Sequence, residues 1–147
     1  MSFSQIQTKS LFKAVGDIMT SDSQMTTLNL EGVYLEETIA SDRPAPYATM
    51  QIILGPTDGN LPSKDGLLVI TFWGRARDGS ADIQLRDLGD RAEYLFDGDE
   101  GKDRINNQGM TNFTLRYIEH ENSDMLPIDS RNNKGYRLTF SIIVSKV

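Results

Sequence analysis

A chain of 147 residues fits one domain, and its hydrophobic fraction of 38% is enough to build a core. The formal charge of −6 argues against a surface that grips nucleic acid, because such surfaces cluster Lys and Arg. The absence of Cys excludes disulfides and thiolate zinc sites, so we expect assembly in a reducing cytoplasm. Neither a secretion signal nor a membrane-length apolar run is present, so we expect no membrane partner.

The N-terminal part of the chain predicts a helix and then a short strand. Ser4 and Gln7 have the spacing of a capping box, and apolar residues from 11 to 19 fall on one helical face. We therefore expect a helix at about residues 4–20, ended by the polar cluster that follows it. Alternating apolar side chains over residues 32–38 then indicate a strand.

Two prolines introduce the second predicted strand. Pro44 and Pro46 lack backbone N–H groups and favour extended conformations before them, so they form a stiff lead-in. Residues 47–54 then alternate between a core side and a partly wet side. The core side holds Ala48, Met50, Ile52 and Leu54, and the partly wet side holds Tyr47, Thr49 and Gln51. Residues 55–66 hold three Gly and two Pro, a composition that favours a turn or an extended hairpin arm.

The segment Leu67 to Trp73 is the most apolar run of the chain. Its β-branched and aromatic residues predict a central strand covered on both faces, with Trp73 buried in the core. Apolar residues at helical spacing then predict a second helix at about residues 81–97, stopped by Gly98.

Two further strands are expected at residues 110–120 and 136–144, joined by a long polar loop. The predicted fold is therefore α+β: a single domain over residues 1–147, with a mostly antiparallel sheet and two main helices on one face. The other face is either solvated or in contact with a neighbouring copy. The candidate subunit-interface residues are Tyr47, Thr49, Arg75, Arg77, Arg116, Tyr136 and Arg137.

The chain offers little for chemistry. His120 stands between Glu119 and Glu121, whose side chains point to the opposite side of a strand, so we expect a solvated histidine. Residues 97–103 are acidic, but Lys102 stands where a calcium loop needs Gly, so a flexible acidic loop is expected. No nucleophile elbow or phosphate-binding loop is present. We expect no enzyme activity, cofactor or metal site.

The order of elements carries a family resemblance. Arg43 to Tyr47 leads into a strand, residues 72–74 read Phe-Trp-Gly, an amphipathic helix follows Ala81, and Tyr136 to Val144 closes the sequence. In this order the chain resembles the tail-terminator, or tail-completion, proteins of long-tailed bacteriophages. The resemblance extends over nearly the whole chain, but it lies in the order of elements and a few short segments.

That resemblance implies a hexameric ring at the head–tail junction of a virion. Such a ring caps the finished tail tube, stops its polymerisation and joins tail to head. The implied partners are other copies of the chain, the tail-tube protein and a head-connector protein, with DNA passing through the lumen without specific binding. Two alternatives stay open: a neck or adaptor protein of the same particle, and a monomeric small ligand-binding α+β domain.

The two long polar segments, residues 55–66 and 119–135, are candidates for axial contacts with other rings. The alternative is that both are ordinary surface loops. The candidate contact residues are Asp58, Asn60, Lys64, Asp124, Arg131 and Lys134.

Overall fold

A computed structural model describes residues 5–35, 44–55, 63–75, 81–111, 113–129 and 132–146. These residues form four helices and five strands. The elements are α1 (Gln5–Ser21), α2 (Ser23–Thr27), β1 (Val33–Leu35), β2 (Tyr47–Leu54), β3 (Ser63–Arg75), α3 (Ala81–Phe96), α4 (Gly98–Asn106), β4 (Phe113–Leu126) and β5 (Asn133–Lys146). Among them, no helix combines the length and the apolarity that crossing a membrane requires.

The strands form one sheet in the order β1-β2-β3-β5-β4. β1 runs parallel to β2, and the other three neighbouring pairs are antiparallel. The two longest helices, α1 and α3, pack on the same side of this sheet. The predicted α+β fold, with a mostly antiparallel sheet and helices on one face, is therefore confirmed.

One hydrophobic core lies between the sheet and the helices. Phe72 of β3 and Phe140 of β5 are fully buried there, facing Val15 of α1 and Leu88 of α3. The Phe96 and Phe140 rings meet edge to face, with centroids 6.4 Å apart. Each large side chain buried in this way stabilises the fold by about 1.5–3 kcal/mol.

Gly89 allows α3 to lie close to β5. A Cβ atom at this position would overlap the ring of Tyr136 and stand 3.2 Å from Leu138. Glycine is needed here because of this close approach, although it lowers helix propensity. The ring of Tyr136 is therefore held between the helix backbone and the sheet, with the guanidinium of Arg86 5.6 Å from its centroid.

The polar cluster after α1 does more than end that helix. Asp22 caps α2, where its carboxylate accepts the N–H of Met25 at 3.1 Å. The same carboxylate accepts two bonds from Arg91 of α3, at 2.8 and 3.0 Å. The bonded Arg91 side chain is the main cause that lowers the pKa of Asp22 below its ordinary value of 3.8. This pair connects the N-terminal helices to α3.

The predicted acidic loop over residues 97–103 is wrong, since helix α4 occupies this segment. Gly98, the predicted stop of the preceding helix, has φ +72°; α3 ends two residues before it, at Phe96, and α4 begins at Gly98 itself. Asp99 and Glu100 lie in the first turn of α4 and Arg104 in its last, an order that complements the helix dipole. Ile105, fully buried, anchors the helix to the core.

The long polar loop predicted between the last two strands is also wrong. β4 continues to Leu126 and β5 begins at Asn133, so most of residues 119–135 are paired strand. The pairing register shifts twice in β4, between Leu115 and Tyr117 and between His120 and Asn122. Such bulges break the alternation of side chains, which concealed the strand in the sequence.

Candidate assembly surfaces

The side of the sheet away from the helices is the open face. No helix in the described ranges packs on it. Its side chains alternate with those that face the core. They are Tyr47, Thr49, Gln51 and Ile53 of β2; Asp65, Leu67, Val69, Thr71, Trp73 and Arg75 of β3; Arg137, Thr139, Ser141 and Ile143 of β5; and Tyr117, Glu119, Asn122, Asp124 and Leu126 of β4.

One half of the open face exposes an apolar stripe. Ile53 and Leu67 lie directly opposite each other on β2 and β3 and are 44% and 38% exposed. Tyr117, which pairs with Ile143 across β4 and β5, is 39% exposed. Together with Val69, these residues form the apolar stripe, which crosses four strands. The prediction that β3 is covered on both faces is therefore wrong at Leu67.

The other half of the open face is covered by its own side chains. Trp73 donates a hydrogen bond from Nε1 to Thr49 Oγ1 at 2.9 Å, and Tyr34 of β1 packs edge to face on Tyr47 at 6.1 Å. Tyr47 and Thr49 are consequently buried, which corrects the expectation that they lie on a partly wet face. Trp73 is only half-buried and belongs to the open face, so its predicted place in the core is wrong.

The other candidate interface residues divide between the two faces. Tyr136 is buried under Gly89 on the helix-covered face, so its expected place on the opposite face is wrong. Arg116 reaches the open face, where its Nε donates to Ser145 at 2.8 Å. Arg137 pairs there with Asp124, while Arg77 lies outside the described residues. Arg75, also on the open face, bonds to the side chain of Asn133.

Of the six candidate axial-contact residues, three have described positions, and none of these three is in a loop. Lys64 is buried in β3. Asp124 of β4 pairs with Arg137 at 2.8 Å, and Lys134 of β5 pairs with Asp82 of α3. Asp58, Asn60 and Arg131 lie outside the described residues.

The helix layer carries a second exposed apolar surface, which the sequence reasoning missed. Ile83 and Tyr94 of α3 are 67% and 60% exposed. They share one face of the helix with Asp87 and Asp90, because the spacings are three and four residues. Beside this face is the α2–α3 groove, a depression of about 550 Å³ that is lined by Gln24, Thr27, Leu28, Asp87, Asp90, Arg91 and Tyr94. Ile83 and Tyr94, which interrupt an otherwise polar face, were the available sequence signal.

The two surfaces differ in charge. Residues 81–106, which form α3 and α4, hold eight Asp or Glu and four Lys or Arg. The charged side chains assigned to the open face are balanced, with Asp65, Glu119 and Asp124 against Arg75, Arg116 and Arg137. Most of the negative charge therefore belongs to the helix layer, and the sheet presents a nearly neutral surface.

The outer edge of β4 is protected by side chains from the helix layer. Asn106 donates from Nδ2 to the Leu115 carbonyl at 2.8 Å and accepts the Leu115 N–H at 2.9 Å. The carboxylate of Asp97 accepts the N–H of His120 at 2.8 Å. These bonds, together with the two bulges, occupy edge groups that another strand would otherwise use.

The histidine environment offers no metal site. His120 is only 18% exposed, because its ring lies against Phe140 with centroids 5.5 Å apart, so the expected solvated histidine is wrong. Its Nδ1 is 3.2 Å from Glu93 and its Nε2 is 2.6 Å from the Ser123 hydroxyl. No group of three or more His, Cys, Asp or Glu side chains able to hold a metal ion occurs in the described part of the chain.

Comparison with known proteins gives a likeness in structure. No protein-family model matches the sequence, and no curated protein does. A chain from the virion of a native gene transfer agent particle matches with a TM-score of 0.73. The match covers 97% of this chain and 99% of that one, at 13% sequence identity. The two chains share a fold.

Proposed function

We propose that this protein is a structural subunit of a phage-like virion and, within that particle, the tail terminator. In this role a ring of subunits binds the end of the completed tail tube, stops further polymerisation and joins the tail to the head. The ring would lie at the head–tail junction of a virion assembled in the host cytoplasm. Its partners are other copies of the chain, the tail-tube protein and a head-connector protein.

The observation that carries this proposal is the match along the whole length of both chains to a protein of a gene transfer agent virion. Two features of the described residues support it further. Exposed apolar surfaces lie on opposite sides of the subunit, as a molecule with neighbours on both sides requires. The order of elements also fits the tail-terminator resemblance, with the helix, the Pro-led strand and the Phe-Trp-Gly segment in place.

The mechanism would be steric and would need no chemistry. One surface of the ring binds the last layer of the tube, and the opposite surface lacks the contacts that recruit another layer. The net charge of −6 would let DNA pass through the ring without adhering, because like charges repel.

The test is to delete the gene in the host that produces the particle and to examine lysates by negative-stain electron microscopy. Loss of a tail terminator leaves headless tails whose tubes exceed the normal length. Headless tails of normal length would instead support the alternative role of a neck or adaptor protein. Normal particles would contradict both roles.

A second measurement uses the purified protein. Mass in solution and negative-stain images at high concentration should reveal closed rings with a central hole. A monomer that binds a small molecule in the α2–α3 groove would favour the ligand-binding alternative, which the volume of that groove allows.

A further inference from the structure

We propose that neighbouring subunits of the ring join head to tail, with the apolar stripe of one copy seated on the exposed face of α3 and the α2–α3 groove of the next. This inference rests on the proposed ring function and adds to it the two surfaces that meet. The partner is a second copy of this chain.

A closed ring needs two different, complementary surfaces on each subunit. In a head-to-tail contact, the surface that a subunit offers to one neighbour differs from the surface it offers to the other. The apolar stripe lies on the open face, whereas Ile83 and Tyr94 lie on the outer side of the helix layer. The sheet and the core separate these surfaces, so both can be occupied at once.

The Tyr94 side chain on the helix-layer surface is held by contacts within the single subunit. The guanidinium of Arg91 stands 4.7 Å from the Tyr94 ring centroid, and that of Arg104 stands 5.7 Å from it. Arg91 is in turn fixed by its two hydrogen bonds to Asp22. An aromatic side chain that is exposed yet held in place loses little conformational entropy on binding, which is typical of interface anchors.

Charge favours contact between unlike surfaces. Asp87 and Asp90 border the groove and make no ion pair with any residue of the described ranges. Two helix layers placed face to face would bring these carboxylates together, and like charges across an interface oppose binding. The open face is nearly neutral and carries Arg116 close to Tyr117, so it can approach the carboxylates without repulsion.

Pairing of strand edges is disfavoured as the route to a ring. Asn106 and Asp97 occupy backbone groups along the outer edge of β4, and the bulges there twist the strand. At the other edge of the described sheet, β1 pairs only with Ala48–Met50 of β2. The exposed apolar side chains of the stripe and of α3 lie on the faces, so we assign the contact to the faces.

The test uses the absence of cysteine from the chain, because each introduced thiol is then unique. Leu67→Cys marks the apolar stripe and Gln24→Cys marks the α2–α3 groove without removing Tyr94, and both positions are exposed. The two single variants, one carrying a size tag, are mixed and treated with a short bismaleimide. Asp99→Cys is the control, because its side chain is 98% exposed on α4 and outside both surfaces.

The expected result is a cross-linked heterodimer of Leu67→Cys with Gln24→Cys. Its yield should exceed that of any pair containing Asp99→Cys by about tenfold or more, because a formed contact raises the local thiol concentration toward the millimolar range. A variant with both cysteines should give a ladder that ends at the ring. If Leu67→Cys alters the melting curve, Ile53→Cys takes its place.

Cross-linking mainly between two Leu67→Cys chains would overturn the proposal in favour of a symmetric sheet-to-sheet contact, and yields at the control level would also overturn it. Closed rings in electron micrographs, without the cross-linked heterodimer, would support the ring function and refute this contact. The heterodimer together with open filaments would support the contact and refute the ring.

Discussion

The two faces of the sheet are stabilised by different kinds of interaction. On the helix-covered face, Phe72 and Phe140 are fully buried against two helices, and hydrophobic contacts dominate. On the open face, half of the surface is covered by a small polar and aromatic cluster around Trp73 and Thr49, and the other half exposes the apolar stripe. The first face therefore determines whether the subunit folds, and the second is available for assembly.

The largest expected effect comes from a core substitution on the helix-covered face. Phe140→Ala should lower the free energy of unfolding by about 3–5 kcal/mol, because it leaves a cavity beside Phe96. Thr139→Ala is the matched control, because Thr139 is the adjacent residue of the same strand and lies on the open face. It should change the free energy of unfolding by at most about 0.5 kcal/mol. Urea denaturation followed by circular dichroism measures both. Equal losses would contradict the assignment of the two faces.

The next effect comes from the link between the N-terminal helices and α3. Asp22→Ala should cost about 2–3 kcal/mol, because it removes the cap of α2 and leaves Arg91 without its carboxylate partner. Denaturation at neutral pH measures the loss. Lys13→Ala, which removes an exposed ion pair within α1, is the control and should cost under about 1 kcal/mol.

The Asp22 carboxylate should make the stability of the fold fall as the pH is lowered. The pKa of Asp22 is lower in the folded protein than its ordinary value of 3.8, so the folded state binds this proton less readily. The stabilisation is fully present above the unfolded-state pKa and is lost as the pH falls through the folded-state pKa. As the pH falls below about 5, the free energy of unfolding of Asp22→Asn should therefore decrease less than that of the native chain. Parallel curves for both proteins would contradict this assignment.

The close approach at Gly89 predicts a smaller effect. Gly89→Ala should destabilise the protein by about 1–3 kcal/mol, because the new methyl group meets the Tyr136 ring and overpacking outweighs the gain in helix propensity. Gly16→Ala in α1 is the control, since its nearest neighbour, Val33, stands at 3.9 Å. That change should be neutral or stabilising by up to about 1 kcal/mol. Thermal melts of both variants compare the two helices.

The smallest effect on folding is expected in the apolar stripe. Leu67→Ser should change the free energy of unfolding of the isolated subunit by under about 1 kcal/mol, because the side chain is already partly exposed. Its effect should appear instead in the mass measured in solution, where rings should weaken or disappear. Thr139→Ser, on the same face, should leave the mass unchanged. If Leu67→Ser leaves the rings unaffected, the apolar stripe is not part of the subunit contact.

The helix-covered face could be predicted from the sequence because its signals are local. The strand Tyr47–Leu54 has the predicted bounds, and α3 ends at Phe96, within one residue of its predicted end at about residue 97. In both elements the apolar residues recur at a regular spacing, and residues that favour turns follow the last of them. The order of the strands in the sheet, in which β5 lies between β3 and β4, is set by long-range pairing, which no local pattern encodes.

The open face could be predicted only in part, since its burial depends on cross-strand neighbours. Tyr47 is covered because β2 places it opposite Trp73 and beside Tyr34, a register that the sequence does not reveal. The second half of β4 has no clear strand pattern in the sequence, because two bulges disturb the alternation. Helix α4 has no apolar period that would predict it, because its composition is highly charged and Ile105 is its one large buried side chain.

The position of β5 also orders the events of synthesis. β5 lies between β3 and β4, yet it follows every other described element along the chain. Until the ribosome has released Asn133–Lys146, the emerging polypeptide can pair β1, β2 and β3 but has no partner for β4. The contacts of β5 with β3 join residues far apart in sequence, which is typical of slow folding. The half-made subunit would therefore expose an unpaired strand edge, a feature that makes incompletely folded chains prone to aggregation.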